Sequence, residues 1–157
     1  MTNLRKYADH EKILFRLNKD SDGYPPFEVE GLWAKRESDG RLVLDSIPFY
    51  AVGVGPGDEI SIVASADGNL WFESLIKSSG VSVFRIHAKD DATVLRVRSK
   101  LLDLGCPSEV DAQMGIVAFE VPADKEINSV LEFLMSGQEK EEFDFEEALL
   151  RHPISDD

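Results

Sequence analysis

The stretch Leu42–Ile62, LVLDSIPFYAVGVGPGDEISI, decides how the first half of the chain folds. An apolar run is broken by Pro48, three glycines and a second proline before an alternating segment, DEISIV, begins. Glycine-rich loops that bind phosphate are followed directly by a helix whose amides meet the anion. DEISIV alternates as a strand does, and the stretch has neither a Gly-Lys-Ser/Thr ending nor Gly-x-Gly-x-x-Gly spacing. The sequence therefore predicts that Gly53, Gly55 and Gly57 form a corner in a bent sheet or barrel.

Two hairpins flank this stretch and share one turn signal. In FEVEGLWAKRESDGRLVLDS, residues 27–46, apolar and polar residues alternate on both sides of Asp39-Gly40. DEISIVASADGNLWFESLIK, residues 58–77, repeats the pattern around Asp67-Gly68. Asp-Gly between alternating segments is typical of a tight hairpin turn. With the alternating strand ILFRL before them, they predict a β-rich subdomain over residues 1–79, a small antiparallel sheet or barrel, with helices only after about residue 88.

From residue 80 onwards, strand and helix patterns alternate. VSVFRIHA is a strand, and DDATVLRVRSKLLDLG is a helix that Asp90 or Asp91 can cap and that ends at Gly105. Two short strands, EVDAQ and IVAFEV, precede a second helix in ADKEINSVLEFLMSG. This β-α-β-β-α order over residues 80–136 predicts a partial ferredoxin-like unit, without the final strand, which another part of the chain can supply. The predicted fold class is therefore α+β.

The acidic C-terminal segment, residues 137–157, has eight acidic residues against Lys140 and Arg151, a net charge of −6 out of −13 for the chain. Phe143 and Phe145 make it too apolar for a purely solvated tail, so we expect a third helix or an irregular segment that docks in part. A field of this sign repels phosphate backbones and attracts cationic proteins. The charge predicts a basic protein partner and no direct nucleic-acid contact, with plain solubility as the alternative explanation.

Composition places the chain among ordinary globular proteins. With 157 residues, 43% of them hydrophobic and 30% charged, it can bury a core and is too apolar for wholesale disorder. No apolar run approaches the ~20 residues of a membrane span, and MTNLRKYADHEKILF lacks the apolar core of a signal peptide. A cytoplasmic location is expected. Cys106 is the only cysteine, which excludes an internal disulfide and multi-cysteine metal sites.

The sequence contains few residue patterns that are typical of catalytic sites. His10, His87 and His152 have no metal-ligand spacing, so we expect neither a metal nor another cofactor. Glu28 and Glu30 share one face of a strand, as an acid/base pair would and as two exposed carboxylates also do. The sequence therefore favours a binding protein over an enzyme.

A cluster of serines lies in KSSGVS. Ser78, Ser79 and Ser82 surround Gly80, and Arg85 follows. Hydroxyls near a guanidinium can hold a carboxylate or phosphate, and a plain turn at the start of a strand explains the same residues. The segment lacks the Gly-x-Ser-x-Gly elbow of a nucleophilic serine. Both the anion site and the turn remain open interpretations.

The run from DGYPPFEVEGLW to GPGDEISI, followed by LWFESLIKSSGVSVFRI, resembles the bacterial family DUF4265, a domain of unknown function. The resemblance covers roughly residues 11–136 and rests on several short motifs: Pro-Pro before an acidic strand, EGLW, IPFY, Gly57-Asp58, and Ser79-Gly80 leading to Arg85. It implies a bacterial cytoplasmic protein, similar in type to the immunity proteins that neutralise toxins. It implies no reaction, cofactor or catalytic residue.

Two functional hypotheses follow. In the first, the protein is a non-enzymatic immunity protein, or antitoxin, that binds a basic toxin domain such as a nuclease through its acidic segment. Its predicted contact residues are Glu139, Glu141, Glu142, Phe143, Asp144, Phe145, Glu146 and Glu147. In the second, the protein binds or modifies a small molecule or anion in a pocket between its two halves. The predicted lining is Trp33, Phe49, Tyr50, Ser79 and Arg85.

Overall fold

The computed structural model of the protein describes residues 9–154. Residues 1–8, part of the stretch in which the sequence predicts no signal peptide, and residues 155–157, the end of the acidic segment, lie outside the described residues. The chain divides into two compact units, Met1–Ser79 and Gly80–Asp157. Among residues 9–154, no helix has the length and hydrophobicity needed to cross a bilayer.

The first unit is a closed five-stranded barrel. Each strand pairs antiparallel with the next, and β1 closes the barrel by pairing in parallel with β5. The strands are β1 (His10–Arg16), β2 (Val29–Arg36), β3 (Leu42–Leu44), β4 (Glu59–Ala64) and β5 (Leu70–Lys77). The turn at Asp39-Gly40 connects β2 to β3, and the turn at Asp67-Gly68 connects β4 to β5. The φ values are 92° at Gly40 and 87° at Gly68. The predicted β-rich architecture is confirmed.

Alternation along the strands builds the core of the barrel. Ile13 and Phe15 of β1 point inward, as do Leu32 and Ala34 of β2, and all four are buried. The rings of Phe15 and Phe72 stack with their centroids 4.7 Å apart. Burying one large apolar side chain stabilises a fold by about 1.5–3 kcal/mol, so this cluster specifies which face of each strand turns inward.

The glycine-rich stretch forms the corner that its sequence predicts. β4 begins at Glu59, so a strand and not a helix follows the glycines. Gly53 and Gly57 have φ values of 82° and 85°, a left-handed conformation that glycine adopts without steric cost. Gly55 does not have a positive φ, and its amide instead donates to the buried carboxylate of Asp58 at 2.9 Å. The phosphate-loop interpretation is therefore excluded.

The second unit is a four-stranded antiparallel sheet with two helices, in the strand order β7-β8-β6-β9. Its elements are β6 (Ser82–Ala88), α1 (Asp91–Asp103), β7 (Ser108–Asp111), β8 (Ile116–Val121), α2 (Asn128–Glu139) and β9 (Phe143–Leu149). The acidic segment supplies the missing final strand as β9. Its middle part forms a strand and not a third helix, because Phe143 and Phe145 alternate with acids at the spacing of a strand. Residues 150–154 after the strand are irregular and dock through the buried His152. α2 also continues to Glu139, past residue 136.

The two helices cover one face of this sheet. Val97 and Leu101 of α1 and Val130 and Leu134 of α2 are buried in a core shared with the strands. Of the two predicted caps, Asp90 and Asp91, the structure selects Asp90, since its carboxylate accepts a hydrogen bond from the Thr93 amide at 2.8 Å. Hydrogen bonds from the hydroxyl and amide of Thr93 lower the pKa of Asp90. The described part of this unit thus has its own complete core.

Candidate functional site

The acidic segment forms an edge of the second sheet. β9 pairs antiparallel with β6, with Arg85 opposite Glu146 and Ile86 opposite Phe145. Within the described residues, β9 has a sheet partner on this side only. An edge strand exposes backbone donors and acceptors together with its side chains. The part of the segment that forms β9 is therefore an ordered surface.

Phe143 belongs to the core, and Phe145 packs against it while remaining partly exposed. Phe143 is 2% exposed. Its ring centroid lies 5.6 Å from that of Phe133, and the ring packs directly against Gly137 of α2. Phe145 is partly buried against the same cluster. The structure thus places Phe143 inside the unit, and we remove it from the candidate surface, whereas Phe145 stays a predicted contact residue.

The six predicted acidic contact residues divide into two groups. Glu142 lies 3.6 Å from Arg96, and Glu146 lies 3.3 Å from His87 and 3.8 Å from Arg85, so these two carboxylates are partly neutralised within the unit. The other four are exposed, and none forms an ion pair with any residue between 9 and 154. We call these four the acidic surface: Glu139, Glu141, Asp144 and Glu147.

A tight turn between α2 and β9 displays part of this surface. Glu141 has a φ of 59°, and its amide donates to the Gln138 carbonyl at 3.0 Å. The Glu142 amide donates to the Gly137 carbonyl at 2.9 Å, and the Lys89 ammonium donates to the Glu141 carbonyl at 3.0 Å. These bonds fix the backbone while the Glu141 side chain remains exposed.

The residues predicted to line a pocket are distributed over both units. Trp33 lies on the outer side of β2 and is 37% exposed, Phe49 is partly buried, and Tyr50 is buried 5.2 Å from the ring of Phe27. The Ser79 hydroxyl donates to the Pro56 carbonyl at 2.7 Å. Arg85 belongs to β6 of the second unit and is buried. Neither unit brings all five together, so the pocket stays a prediction.

Two carboxylates whose role the sequence did not reveal hold the glycine-rich corner. Glu30 accepts hydrogen bonds from the amides of Phe49, Tyr50 and Ala51 at 2.8, 3.0 and 2.8 Å. Asp58 accepts from the amides of Gly55 and Ser79, both at 2.9 Å. The predicted pairing of Glu28 with Glu30 as acid and base therefore finds no support, because Glu30 is committed to the backbone. Glu28 instead lies 2.8 Å from Lys19.

Ser82 and His152 form a second arrangement that the sequence did not reveal. Nδ1 of His152 lies 2.6 Å from the Ser82 hydroxyl, and Nε2 lies 2.8 Å from the Pro122 carbonyl. A carbonyl only accepts, so Nε2 carries the proton and Nδ1 accepts from the hydroxyl. The Ser82 oxygen also accepts from the amides of Arg151 and His152. Both lone pairs of Ser82 are used and its side chain is fully buried, so the residue anchors the segment Arg151–His152 to β6.

His10 and Cys106 are two further side chains of types that can take part in catalysis. Both ring nitrogens of His10 contact carboxylates, Asp9 at 2.9 Å and Asp45 at 2.6 Å. Burial raises the pKa of the Cys106 thiol to about 11. Between residues 9 and 154, no cluster of three or more histidine, cysteine and acidic side chains could hold a metal ion.

A barrel followed by a β-α-β-β-α-β sheet with an acidic edge strand defines a two-unit α+β class of protein. The family model for DUF4265, described as a domain of unknown function, matches residues 30–145. The chain therefore belongs to the DUF4265 family.

A solved structure supports this fold. A hypothetical protein from Neisseria gonorrhoeae superposes with a TM-score of 0.72, over 91% of this chain and 96% of that chain, at 18% identity. At this identity the likeness shows a shared fold alone. No curated protein matches the sequence.

Proposed function

We propose that the protein is a non-enzymatic binding protein whose partner is a basic protein domain, and that its role is that of an immunity protein for a bacterial toxin such as a nuclease. The observation that carries the proposal is the acidic surface. Glu139, Glu141, Asp144 and Glu147 are exposed on an ordered turn and edge strand, without ion-pair partners among the described residues. Charges fixed on a rigid scaffold lose little conformational entropy when a complementary surface docks.

The chemistry of such a complex follows from electrostatics. Exposed carboxylates attract a cationic partner over about one Debye length, roughly 8–10 Å at ordinary salt. They accelerate association and penalise wrong partners more than they tighten the final complex. A surface that mimics the charge of a phosphate backbone would cover the cationic active site of a nuclease. Steric exclusion of the nucleic acid then explains neutralisation without a catalytic step by this chain.

Two variants with the same change in net charge test this proposal. The acid-neutral variant replaces the acidic surface: Glu139→Gln, Glu141→Gln, Asp144→Asn and Glu147→Gln. The control variant neutralises four exposed acids elsewhere: Asp22→Asn, Asp103→Asn, Asp124→Asn and Glu132→Gln. All eight positions are exposed, so circular dichroism and thermal unfolding should show that both variants fold.

The proposal predicts that a reading frame next to the gene encodes a basic toxin domain, and that domain is the partner to use. Co-expression with the wild type or the control variant should restore growth and yield a purified complex. The acid-neutral variant should give neither, or a complex weaker by at least roughly tenfold. If the acid-neutral variant protects as well as the wild type, the acidic surface is not the interface. The predicted pocket then becomes the preferred hypothesis.

A further inference from the structure

The outer face of the barrel along β1 and β2 is cationic, although the whole chain has a net charge of −13. The inward residues of these strands are buried, so the alternate positions point outward. From Lys12 to Arg16 and from Val29 to Lys35, no outward position is acidic. We call this surface the cationic face: Lys12, Arg16, Lys35, Val29, Trp33 and Trp71.

Pairing between strands brings these side chains together. Lys12 lies opposite Trp33, and Arg16 lies opposite Val29. Leu14 is opposite Gly31 on one side and Trp71 on the other. The Lys12 side chain crosses the space that a Cβ atom on Gly31 would occupy. The absence of a side chain at position 31 therefore lets the aliphatic part of Lys12 lie flat between the strands.

The face combines exposed apolar surface with unneutralised charge. Val29 and Trp33 are each 37% exposed, and the Arg16 guanidinium lies 4.1 Å from the centroid of the Trp71 ring. None of Lys12, Arg16 and Lys35 forms an ion pair with the described residues, whereas Lys19 and Arg41 in the same unit do. Tryptophan and arginine are the residues most enriched at the centres of protein interfaces.

We propose that the cationic face binds the acidic surface of a second copy of this chain. Charge complementarity carries the assignment. One unit presents three cations without ion-pair partners around tryptophan, and the other presents four such carboxylates at the end of α2, in the turn after it and on the edge strand β9. Single-stranded nucleic acid is the less suitable occupant, because three cations cannot offset the repulsion of a phosphate backbone by a chain of this net charge. The self-contact would occupy the acidic surface until a more basic partner displaces it.

This inference deepens the proposed function, because it uses the same acidic surface and adds a means of regulating it. Contacts between unlike surfaces of identical chains either close into a ring or extend with concentration. Self-association should therefore depend on both protein concentration and salt. Sedimentation velocity of the wild type should show a dissociation constant that weakens by at least about tenfold between about 50 mM and about 500 mM NaCl.

A charge swap gives the decisive test. The face-reversed variant carries Lys12→Glu, Arg16→Glu and Lys35→Glu, and the strand-reversed variant carries Glu139→Lys, Glu141→Lys and Glu147→Lys. Each variant alone should be monomeric, because its two surfaces now repel. Mixed in equal amounts, they should associate, because the acidic face of one meets the basic strand of the other.

Several results would overturn the proposal. These are a wild type that stays monomeric at low salt, self-association that persists in the face-reversed variant, or a mixture that fails to associate. Binding of fluorescent oligothymidine that Trp33→Ala abolishes would assign the face to nucleic acid instead. The face-reversed variant also separates this inference from the proposed function, since it should lose self-association and still bind the basic toxin domain. Loss of toxin binding only in the strand-reversed variant leaves the proposed function standing whatever the outcome for self-association.

Discussion

Glu30 directs its carboxylate at three consecutive backbone amides of the corner between β3 and β4. Hydrogen bonds to an ionised acceptor are about twice as strong as neutral ones, and the three amides lie in a part-buried loop. Glu28, on the same side of the chain two residues earlier, is exposed and pairs only with Lys19. Glu28 can therefore serve as the control position when Glu30 is substituted.

Glu30→Gln should lower the free energy of unfolding by about 1.5–3 kcal/mol, because a neutral amide replaces the ionised acceptor and one of its ends cannot accept. Glu28→Gln should change it by less than about 0.5 kcal/mol, since exposed ion pairs contribute little. Urea unfolding of the two variants measures both values. Equal effects would mean that Glu30 is not the anchor of the corner.

Cys106 should behave as a buried, unreactive thiol. Burial raises its pKa from 9.0 to about 11, so the folded state keeps the proton between these values while the unfolded state loses it. Stability from this group is therefore full below pH 9 and falls as the pH rises towards 11. In a urea series from pH 8 to 11, Cys106→Ala should lose less stability than the wild type. An identical decline in both proteins would contradict the account.

For individual residues, the sequence did not reveal contacts between positions that are far apart in the chain. Ser82 and His152 are 70 positions apart, and no local pattern connects them. The hydrogen bonds from three amides to Glu30 could not be predicted either, because the alternating pattern of a strand is the same whether its glutamate faces water or a loop. The sequence did predict features that depend on neighbouring residues alone, such as the helix cap at Asp90 or Asp91 and the turn at Asp39-Gly40.

Among the elements, β9 was the one that the sequence did not identify. FDFEEAL alternates aromatic and acidic residues as a half-buried edge strand does, but its charge density also fits a solvated tail. Its pairing with β6 depends on the unfilled sheet edge beside β6, which only the assembled fold creates. The two hairpins and both helices carried stronger signals, since each lies within one short continuous segment.

The contact between α2 and β9 depends on Gly137, because a Cβ atom there would overlap the ring of Phe143. Gly137→Ala should destabilise the second unit by about 1–3 kcal/mol through overpacking, although alanine favours helices by about 1 kcal/mol over glycine. Adding Phe143→Leu should recover part of that loss by freeing space. Ser99→Ala, at an exposed position of α1, is the control and should be neutral. A stabilising Gly137→Ala would show that the ring does not occupy this space.

For the whole molecule, the distribution of charge matters more than its total. Four exposed carboxylates lie at the end of α2, in the turn after it and on the two faces of β9, while the barrel presents the cationic face on β1 and β2. A protein of uniformly negative surface would interact with cations without preference for site. Placing unpaired charges of each sign on ordered strands instead gives two surfaces that can discriminate between partners.

We proposed that the acidic surface steers the binding of a basic toxin domain. Stopped-flow measurement of the association rate with that domain, across a range of salt concentrations, tests this proposal. For the wild type and the control variant, the association rate constant should fall steeply with salt. For the acid-neutral variant it should be lower by roughly tenfold at low salt and should vary much less with salt, because the steering charges are gone. Association rates that are equal for the acid-neutral and control variants at every salt concentration would contradict the account.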